Sequence, residues 1–281
     1  MEPILRQHYA DEIESWRAQM DESIRAENSW LALAGLLWLK QGKQYLQRSS
    51  NGGFLLTQKK VPGWISSFKR LDNKVFINPN KELELMVNGE PAHEQPLSSD
   101  VDSEPDFIEY DQLRMVVIRR GERVGLRIWD NRRSERQKHP QRSWYPLNPD
   151  YHLKAKRLSV EPDYAVSIPD VLGDSSEEKV IGALEFDIAG ETMRLQALEA
   201  GEGQGLIIFA DETNGRTTYP GGRFVVVDFR QASELTLDFN KAYNPPCAFT
   251  PHATCPLPPE SNRLSVEIPA GERYTNNQEG H

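Results

Sequence analysis

The chain has 281 residues, of which 38% are hydrophobic and 27% are charged, and its formal net charge at pH 7 is −9. This length and composition exclude a largely disordered chain and predict a compact protein with a sizeable core. The acidic balance disfavours nucleic acid and anionic membrane surfaces as partners, because both attract cations. The apolar run WLALAGLLWL, 30–39, has half of the about 20 residues that a membrane-spanning helix needs, so it predicts core.

Residues 1–29 are expected to form an N-terminal helical segment, with the helix itself over residues 4–29. Apolar residues recur there every three or four positions, which produces one apolar stripe on a helix. A stripe of this kind predicts docking onto the body of the protein in preference to binding a separate partner. The stripe consists of Leu5, Tyr9, Ile13, Trp16, Met20 and Ile24.

A first β region is expected over residues 30–140. KVFINP alternates at Val75 and Ile77, and ELELMVNGEPA alternates before Asn88-Gly89, a dipeptide that tolerates the positive φ of a tight hairpin turn. LRMVVIRRGERVGLRIWD predicts a further hairpin. The next segment, 141–179, contains four prolines and an acidic end, so it is expected to be an irregular crossing between two β regions.

A second β region is expected over residues 180–275. GALEFDIAGETMRLQAL predicts a hairpin around Ala189-Gly190, and LTLDFN and RLSVEI predict strands on either side of a proline-rich loop, 243–259. The fold class that follows is mostly β. We expect an antiparallel, sandwich-like or barrel-like body of two closely packed β regions with an N-terminal helix.

The run LDFNKAYNPPCAFTPHATCPLPPESNRLSVEIPAGERY resembles the C-terminal signature of domain-of-unknown-function family 1684, a bacterial and archaeal group. FADETNGRTTYPGGRF, SWYPLNPDYHLKA and WLALAGLLWLKQG resemble other segments of that family. The resemblance implies a mostly β protein and no established activity. The MVNGEPA turn is also weakly similar to forkhead-associated phosphopeptide modules, although QGKQYLQRSSNGG lacks the Gly-Arg that such a module places near the phosphate.

The loop YNPPCAFTPHATCPLPP contains six prolines, and we expect it to be the rigid wall of a ligand cleft. Proline lowers the entropy that a loop loses on ordering, so such a wall need not be ordered by its ligand. Arg223 offers a planar cation for a carboxylate or phosphate, with an ion pair to Asp238 as the other interpretation. Asp238 is also the candidate general base. The candidate ligand-binding residues are Arg223, Asp238, Asn240, Tyr243, Asn244 and His252.

The two cysteines, Cys247 and Cys255, are expected to be reduced structural thiols. Seven residues separate them, whereas structural zinc sites pair cysteines two to four apart and need four ligands, so neither a metal nor a cofactor is expected. A nucleophilic pair with His252 has the right residue types and stays open. MEPILRQHYADE lacks the basic start and apolar run of a signal peptide, which predicts a cytoplasmic protein.

Two functions are compatible with these patterns. The first is binding of a small polar or anionic ligand beside the proline-rich loop, with turnover left open. The second is a non-catalytic protein–protein interaction module, in which the loop is a rigid epitope and the first β region meets a protein partner. No nucleotide-binding loop, HExxH zinc motif or GxSxG elbow is present in the sequence, so the common catalytic templates do not apply.

Overall fold

The structure is a computed structural model that describes residues 3–230 and 234–274. The chain divides into two compact units. The N-terminal β unit is Ser23–His139, and the C-terminal unit combines Met1–Glu22 with Pro140–His281. The N-terminal helix therefore belongs with the C-terminal half of the chain. None of the helices in the described ranges is both long and apolar enough to cross a bilayer.

The N-terminal β unit contains eleven strands in two antiparallel sheets and one short helix, α2 (Glu135–Lys138). The strands are β1 (Leu33–Trp38), β2 (Gly42–Arg48), β3 (Phe54–Thr57), β4 (Trp64–Leu71), β5 (Lys74–Pro79), β6 (Met86–Val87), β7 (Glu90–Pro91), β8 (Gln95–Leu97), β9 (Phe107–Tyr110), β10 (Leu113–Arg120) and β11 (Arg123–Asp130). One sheet has the order β1-β11-β10-β9-β6-β7 and the other β3-β2-β4-β5-β8. Buried side chains of both sheets form one core.

The hairpins expected in this unit are confirmed. Asn88 and Gly89 have φ values of 53° and 83° and join β6 to β7, as the two-residue turn predicts. Arg120 lies opposite Arg123 in the β10–β11 hairpin, which leaves a two-residue turn. The alternation in KVFINP is also confirmed, because the two apolar side chains that it points to one face are buried.

The C-terminal unit contains a seven-stranded antiparallel sheet. The strands are β12 (His152–Leu158), β13 (Ala165–Pro169), β14 (Ser175–Ile188), β15 (Glu191–Glu199), β16 (Gln204–Phe209), β17 (Arg223–Asp228) and β18 (Glu234–Asp238). Their order is β17-β16-β15-β14-β12-β18, with β13 paired to β14. Ala189 and Gly190 form the expected β14–β15 turn, at φ values of 52° and 81°. The mostly β, antiparallel fold with an N-terminal helix is confirmed.

Helix α1 (Pro3–Ser23) packs its apolar stripe into the C-terminal unit, as the periodicity predicts. Tyr9 and Ile13 are buried there, whereas the side chain of Leu5 lies outside the described residues. The helix ends six residues earlier than expected. The Ser23 carbonyl accepts a hydrogen bond from the Ser29 hydroxyl at 2.6 Å, which closes the turn that follows the helix.

Two expectations for the second half of the chain differ from the structure. The segment 141–179 contains β12, β13 and the first residues of β14, and it is not an irregular crossing. The sequence pattern did not indicate β12, because the buried side chain of this strand is Ala155, which lies between two exposed lysines. RLSVEI, 263–268, is not a strand. Leu264 and Ile268 are buried as expected, but the Ile268 amide donates to an Asp211 carboxylate oxygen at 3.1 Å instead of to a neighbouring strand.

Candidate functional site

Arg223, the first residue of β17, is fully buried and bound on several sides by the protein. Its Nη2 lies 2.7 Å from Asp211 Oδ2 and donates to the Ile268 carbonyl at 2.9 Å. Its Nη1 donates to the Ala270 carbonyl. The interpretation of Arg223 as the ion-pair partner of Asp238 is therefore wrong, because Asp211 is the partner. A dissolved ligand does not reach this guanidinium in the described conformation.

Asp211 explains why Arg223 is held in the interior. Its Oδ1 accepts hydrogen bonds from the Thr213 amide at 2.9 Å and the Thr213 hydroxyl at 2.6 Å. The same oxygen accepts from the Ile268 amide, while Oδ2 faces Arg223. A carboxylate in the interior requires this degree of compensation, because an unpaired buried charge is costly. Asp211 and Thr213 of the sequence DETNGR thus form a buried anchor for the segment after residue 263.

Asp238 and Asn240 lie beneath helix α1. The Tyr9 hydroxyl lies 2.9 Å from both carboxylate oxygens of Asp238. Asn240 Nδ2 donates to the Asn148 carbonyl at 2.9 Å, and its oxygen accepts from the Asn148 amide at 3.1 Å. Burial, reinforced by the Asp238 charge, raises the pKa of Tyr9 well above its usual value. Asp238 and Asn240 of LTLDFN therefore bind the helix and do not line a solvent-filled cleft.

Asn244 is fixed by a second buried ion pair. Its amide donates to Glu272 Oε2 at 2.7 Å, and its Nδ2 donates to the Arg273 carbonyl at 3.1 Å. Arg142 donates to both oxygens of Glu272, at 2.8 Å and 2.5 Å. Burial raises the pKa of Glu272, and the Arg142 charge opposes that shift. This pair holds the start of the proline-rich loop against the following segment of the chain.

The remaining candidates of the loop are Tyr243 and His252. Tyr243 packs edge-on against Phe224, with ring centroids 5.8 Å apart, and burial raises its pKa. His252 is half-buried, and its amide donates to the Thr250 hydroxyl at 3.3 Å. Cys247 and Cys255 are not joined in a disulfide. Across residues 3–230 and 234–274, no cluster of His, Cys, Asp and Glu has the arrangement of a metal site.

Arg17 is an unusual group that the sequence analysis did not single out. Its guanidinium carbon lies 5.1 Å from the centre of the Trp144 ring. Its Nε and Nη2 are buried without a hydrogen-bond partner among the described residues. Burial lowers the pKa of Arg17 below its usual value. The available sequence signal was the position of this charged residue, four residues after Ile13 and at the edge of the apolar stripe of the helix.

The N-terminal β unit contains an open cleft that the sequence analysis also missed. Its volume is about 620 Å³, which is within the range of small-molecule sites. Cations, aromatic rings and aliphatic side chains all contribute to its wall. The lining residues are Arg48, Lys60, Val61, Pro62, Gly63, Trp64, Ile65, Asn80, Glu82, Leu83 and Tyr110.

The two cations of this cleft differ in their partners. Arg48 Nη2 lies 2.8 Å from Asp130 Oδ2, so its charge is already paired. Lys60 is exposed, and its Nζ lies 4.7 Å from the centre of the Trp64 ring. No carboxylate among the described residues forms an ion pair with Lys60. Asn80 braces the cleft, because its Nδ2 donates to the Trp64 carbonyl at 2.9 Å. The available sequence signal was KKVPGW, a turn with cations next to an aromatic residue.

Residues 138–273 match the family described as protein of unknown function DUF1684. The solution NMR structure of an uncharacterized protein from Haloarcula marismortui is 32% identical in sequence, over 51% of this chain and 81% of that one, with a TM-score of 0.43. The chain belongs to the DUF1684 family. A comparison with curated proteins gives no match. The matched DUF1684 segment contains both buried ion pairs and the proline-rich loop, whereas α1 and the cleft lie outside it.

Proposed function

We propose that this DUF1684 protein binds a small ligand with an anionic group in the cleft of the N-terminal β unit. The observation that carries the proposal is Lys60, an exposed cation held over the Trp64 ring without an ion-pair partner among the described residues. An unpaired ammonium beside an aromatic face can attract a carboxylate or phosphate, and the ring can contact the body of the same molecule.

The composition of the cleft supports a ligand that combines a charge with an apolar or flat body. Arg48 keeps Asp130 as its partner, so Lys60 supplies the available positive charge. Trp64, Val61 and Leu83 provide apolar surface beside it. Ligand sites of this size are typically apolar with a few polar groups that orient the ligand. The net charge of −9 also favours a small anion over a polyanion, which the whole protein would repel.

The candidate residues beside the proline-rich loop support a ligand site less well. Arg223 and Asn240 are fully buried, and Asp238 and Asn244 are buried and hydrogen-bonded within the protein. A ligand would have to replace those bonds before it gained any of its own, at a cost of about 1–3 kcal/mol for each buried polar group. The proposal therefore keeps the expected class of ligand and moves its site to the cleft.

The side chains that line the cleft favour binding of a ligand without its chemical conversion. Among its described lining residues there is no Ser, Thr, Cys or His that could act as a nucleophile or an imidazole base, and Glu82 is the one carboxylate. We also propose that the protein works in the cytoplasm. The low cysteine content, two in 281 residues, supports that location, because disulfide-rich chains are typical of oxidising compartments.

The proposal can be tested by NMR titration of the isotope-labelled full chain. The probes are benzoate and phenyl phosphate, with benzamide as the neutral molecule of matched shape, all at constant ionic strength. We expect the two anions to shift the amide resonances of residues 60–64 and 80–83, and benzamide to bind at least about tenfold more weakly. If benzamide bound as tightly as the two anions, the charge of the ligand would not contribute to binding.

Two lysine variants provide the matched control. Lys60→Met should abolish the response to both anions, whereas Lys59→Met, which removes the neighbouring exposed lysine, should leave it unchanged. Unchanged cleft resonances with all three probes would overturn the proposal. That result would favour the alternative of a protein–protein interaction module, which requires no small-molecule response.

A further inference from the structure

The two cysteines of the proline-rich loop are in direct contact. The backbone amide of Cys247 donates a hydrogen bond to Cys255 Sγ at 3.0 Å. Cys247 is half-buried and Cys255 is only 4% exposed, so the two sulfurs differ in their access to solvent. The seven intervening residues fold back and bring together two thiols that the sequence spacing alone leaves unrelated.

The main chain on both sides of this contact is fixed. Cys247 is the middle residue of a 3-10 turn, Pro246–Ala248, and the Ala248 amide donates to the Pro245 carbonyl at 3.0 Å. The Cys255 carbonyl accepts from the Val171 amide at 3.1 Å, and the Leu257 amide donates to the Pro169 carbonyl at 2.7 Å. A rotation of the Cys247 side chain is thus the movement that would bring its sulfur towards Cys255 Sγ, which already contacts the Cys247 amide.

We propose that Cys247 and Cys255 form a peroxide-sensitive dithiol that converts reversibly into an intramolecular disulfide. The half-exposed Cys247 is the sulfur that meets the oxidant. The buried Cys255 is the resolving sulfur, because the Cys247 amide hydrogen bond stabilises its thiolate and holds it beside the site of attack. Tyr219 lies near both sulfurs, and burial, reinforced by the two cysteines, raises its pKa.

The reaction balances with hydrogen peroxide as the only co-reactant. The Cys247 thiolate attacks one peroxide oxygen, forming an S–O bond and breaking the O–O bond, and it yields a sulfenic acid and hydroxide. The Cys255 thiolate then attacks the Cys247 sulfur, forms the S–S bond and expels a second hydroxide. The two thiol protons convert both hydroxides into water. A dithiol reductant reverses the change by exchange.

Peptide mapping of the folded full chain after peroxide treatment tests the proposal. Lys241 and Arg263 delimit one tryptic peptide, 242–263, that contains both cysteines. We expect its mass to fall by two hydrogen atoms, the number of thiols counted in denaturant to fall from two to zero, and dithiothreitol to restore both. A peptide that gains oxygen at Cys247 while Cys255 stays a thiol would overturn the proposal, as would a disulfide between two chains.

Trapping with dimedone separates the two roles. In Cys255→Ser, the sulfenic acid on Cys247 has no resolving partner, so dimedone should label it, whereas Cys247→Ser should take up little label because Cys255 is buried. Labelling of Cys255 in preference to Cys247 would contradict the assignment. If Cys255→Ser fails to fold, the same competition in the wild-type chain decides, because dimedone then traps Cys247 before the disulfide closes.

Discussion

Similar kinds of side chain surround Arg223 and line the cleft beside Lys60, but they are buried around Arg223 and face open space in the cleft. Around Arg223, the carboxylates of Asp211 and Glu272 and the side chain of Asn244 are buried, and each is hydrogen-bonded to other groups of the protein. In the cleft, a lysine, an asparagine and two aromatic rings line open space, and the lysine charge is unpaired among the described residues. The types of residue present therefore do not distinguish a ligand-binding site from a group of buried residues that stabilises the fold.

The comparison teaches that the accessibility and the existing partners of a polar group decide whether a ligand can use it. A buried pair such as Arg223–Asp211 is costly to break, because removing one partner leaves the other charged in the interior. An exposed lysine without a carboxylate can take an anion with little loss, because water is its competitor. The same reasoning ranks the effects of substitutions in the two regions.

The largest effect is expected for Arg223→Met. It leaves the Asp211 carboxylate buried without its cation and the Ile268 and Ala270 carbonyls without their donor. We expect the free energy of unfolding to fall by about 3–5 kcal/mol in urea titrations. The control is Arg216→Met, whose exposed pair with Glu267 should cost less than about 1 kcal/mol. A loss as small as the control would mean that Arg223 is available to a ligand after all.

A smaller loss is expected for Tyr9→Phe, which removes the hydroxyl that binds Asp238. The acceptor is charged, so the loss should be about 1.5–3 kcal/mol near pH 7. The exposed Tyr164→Phe is the control.

This difference between wild type and Tyr9→Phe should depend on pH. The folded pKa of Tyr9 is raised by burial, while the unfolded value is about 10. The unfolded chain releases the proton first as the pH rises, so the stability that the hydroxyl contributes is complete below about pH 10 and is lost above it. Unfolding curves that keep the same separation up to about pH 11 would contradict a raised pKa.

Arg17→Met is expected to stabilise the protein by about 1 kcal/mol. The substitution relieves the cost of two buried unpaired donors, about 1–3 kcal/mol, and it forfeits a cation–π contact with Trp144 of about 0.5–1 kcal/mol. Thermal unfolding can measure the difference, with the exposed Arg6→Met on the same helix as the control. A clear loss of stability would indicate that Nε and Nη2 have a partner, such as a bound water molecule.

The smallest effect on stability is expected for Lys60→Met in the cleft. Its ammonium is exposed and its contact with Trp64 is weak, so the free energy of unfolding should change by less than about 0.5 kcal/mol. The same variant should lose the response to benzoate. A variant that is stable but does not respond to benzoate would show that Lys60 serves the ligand, whereas Arg223 serves the fold. A destabilised variant would show that Lys60 also stabilises the fold.

The features that could be predicted from the sequence are local. Asn88-Gly89 and Ala189-Gly190 adopt positive φ values because short turns between twisted strands need them, whatever the rest of the fold. The helix stripe and the inward side chains of LTLDFN were predictable because each depends on a period of 3.6 or 2 residues. The end of α1 was not, because the bond between Ser29 and the Ser23 carbonyl is not part of any periodic pattern.

The ion-pair partner of Arg223 shows why the contacts between polar groups could not be predicted without the tertiary structure. Asp211 and Asp238 lie at similar distances from it along the chain. Asp211 follows β16, whose Phe209 is directly opposite Arg223, whereas the Asp238 carboxylate accepts hydrogen bonds from the Tyr9 hydroxyl and the Asn240 amide. The pairing of β17 with β16, and not the sequence separation, therefore brings Asp211 to Arg223.

By itself, the sequence determined the mostly β class, the helix and several turns, because periodicity and turn chemistry act over a few residues. Only the tertiary structure decided which polar groups are buried, which cation remains open beside Trp64, and that Cys255 reaches the amide of Cys247. The physical reason is that burial and pairing depend on segments far apart in the chain, and a pattern within one segment contains no information about its partners.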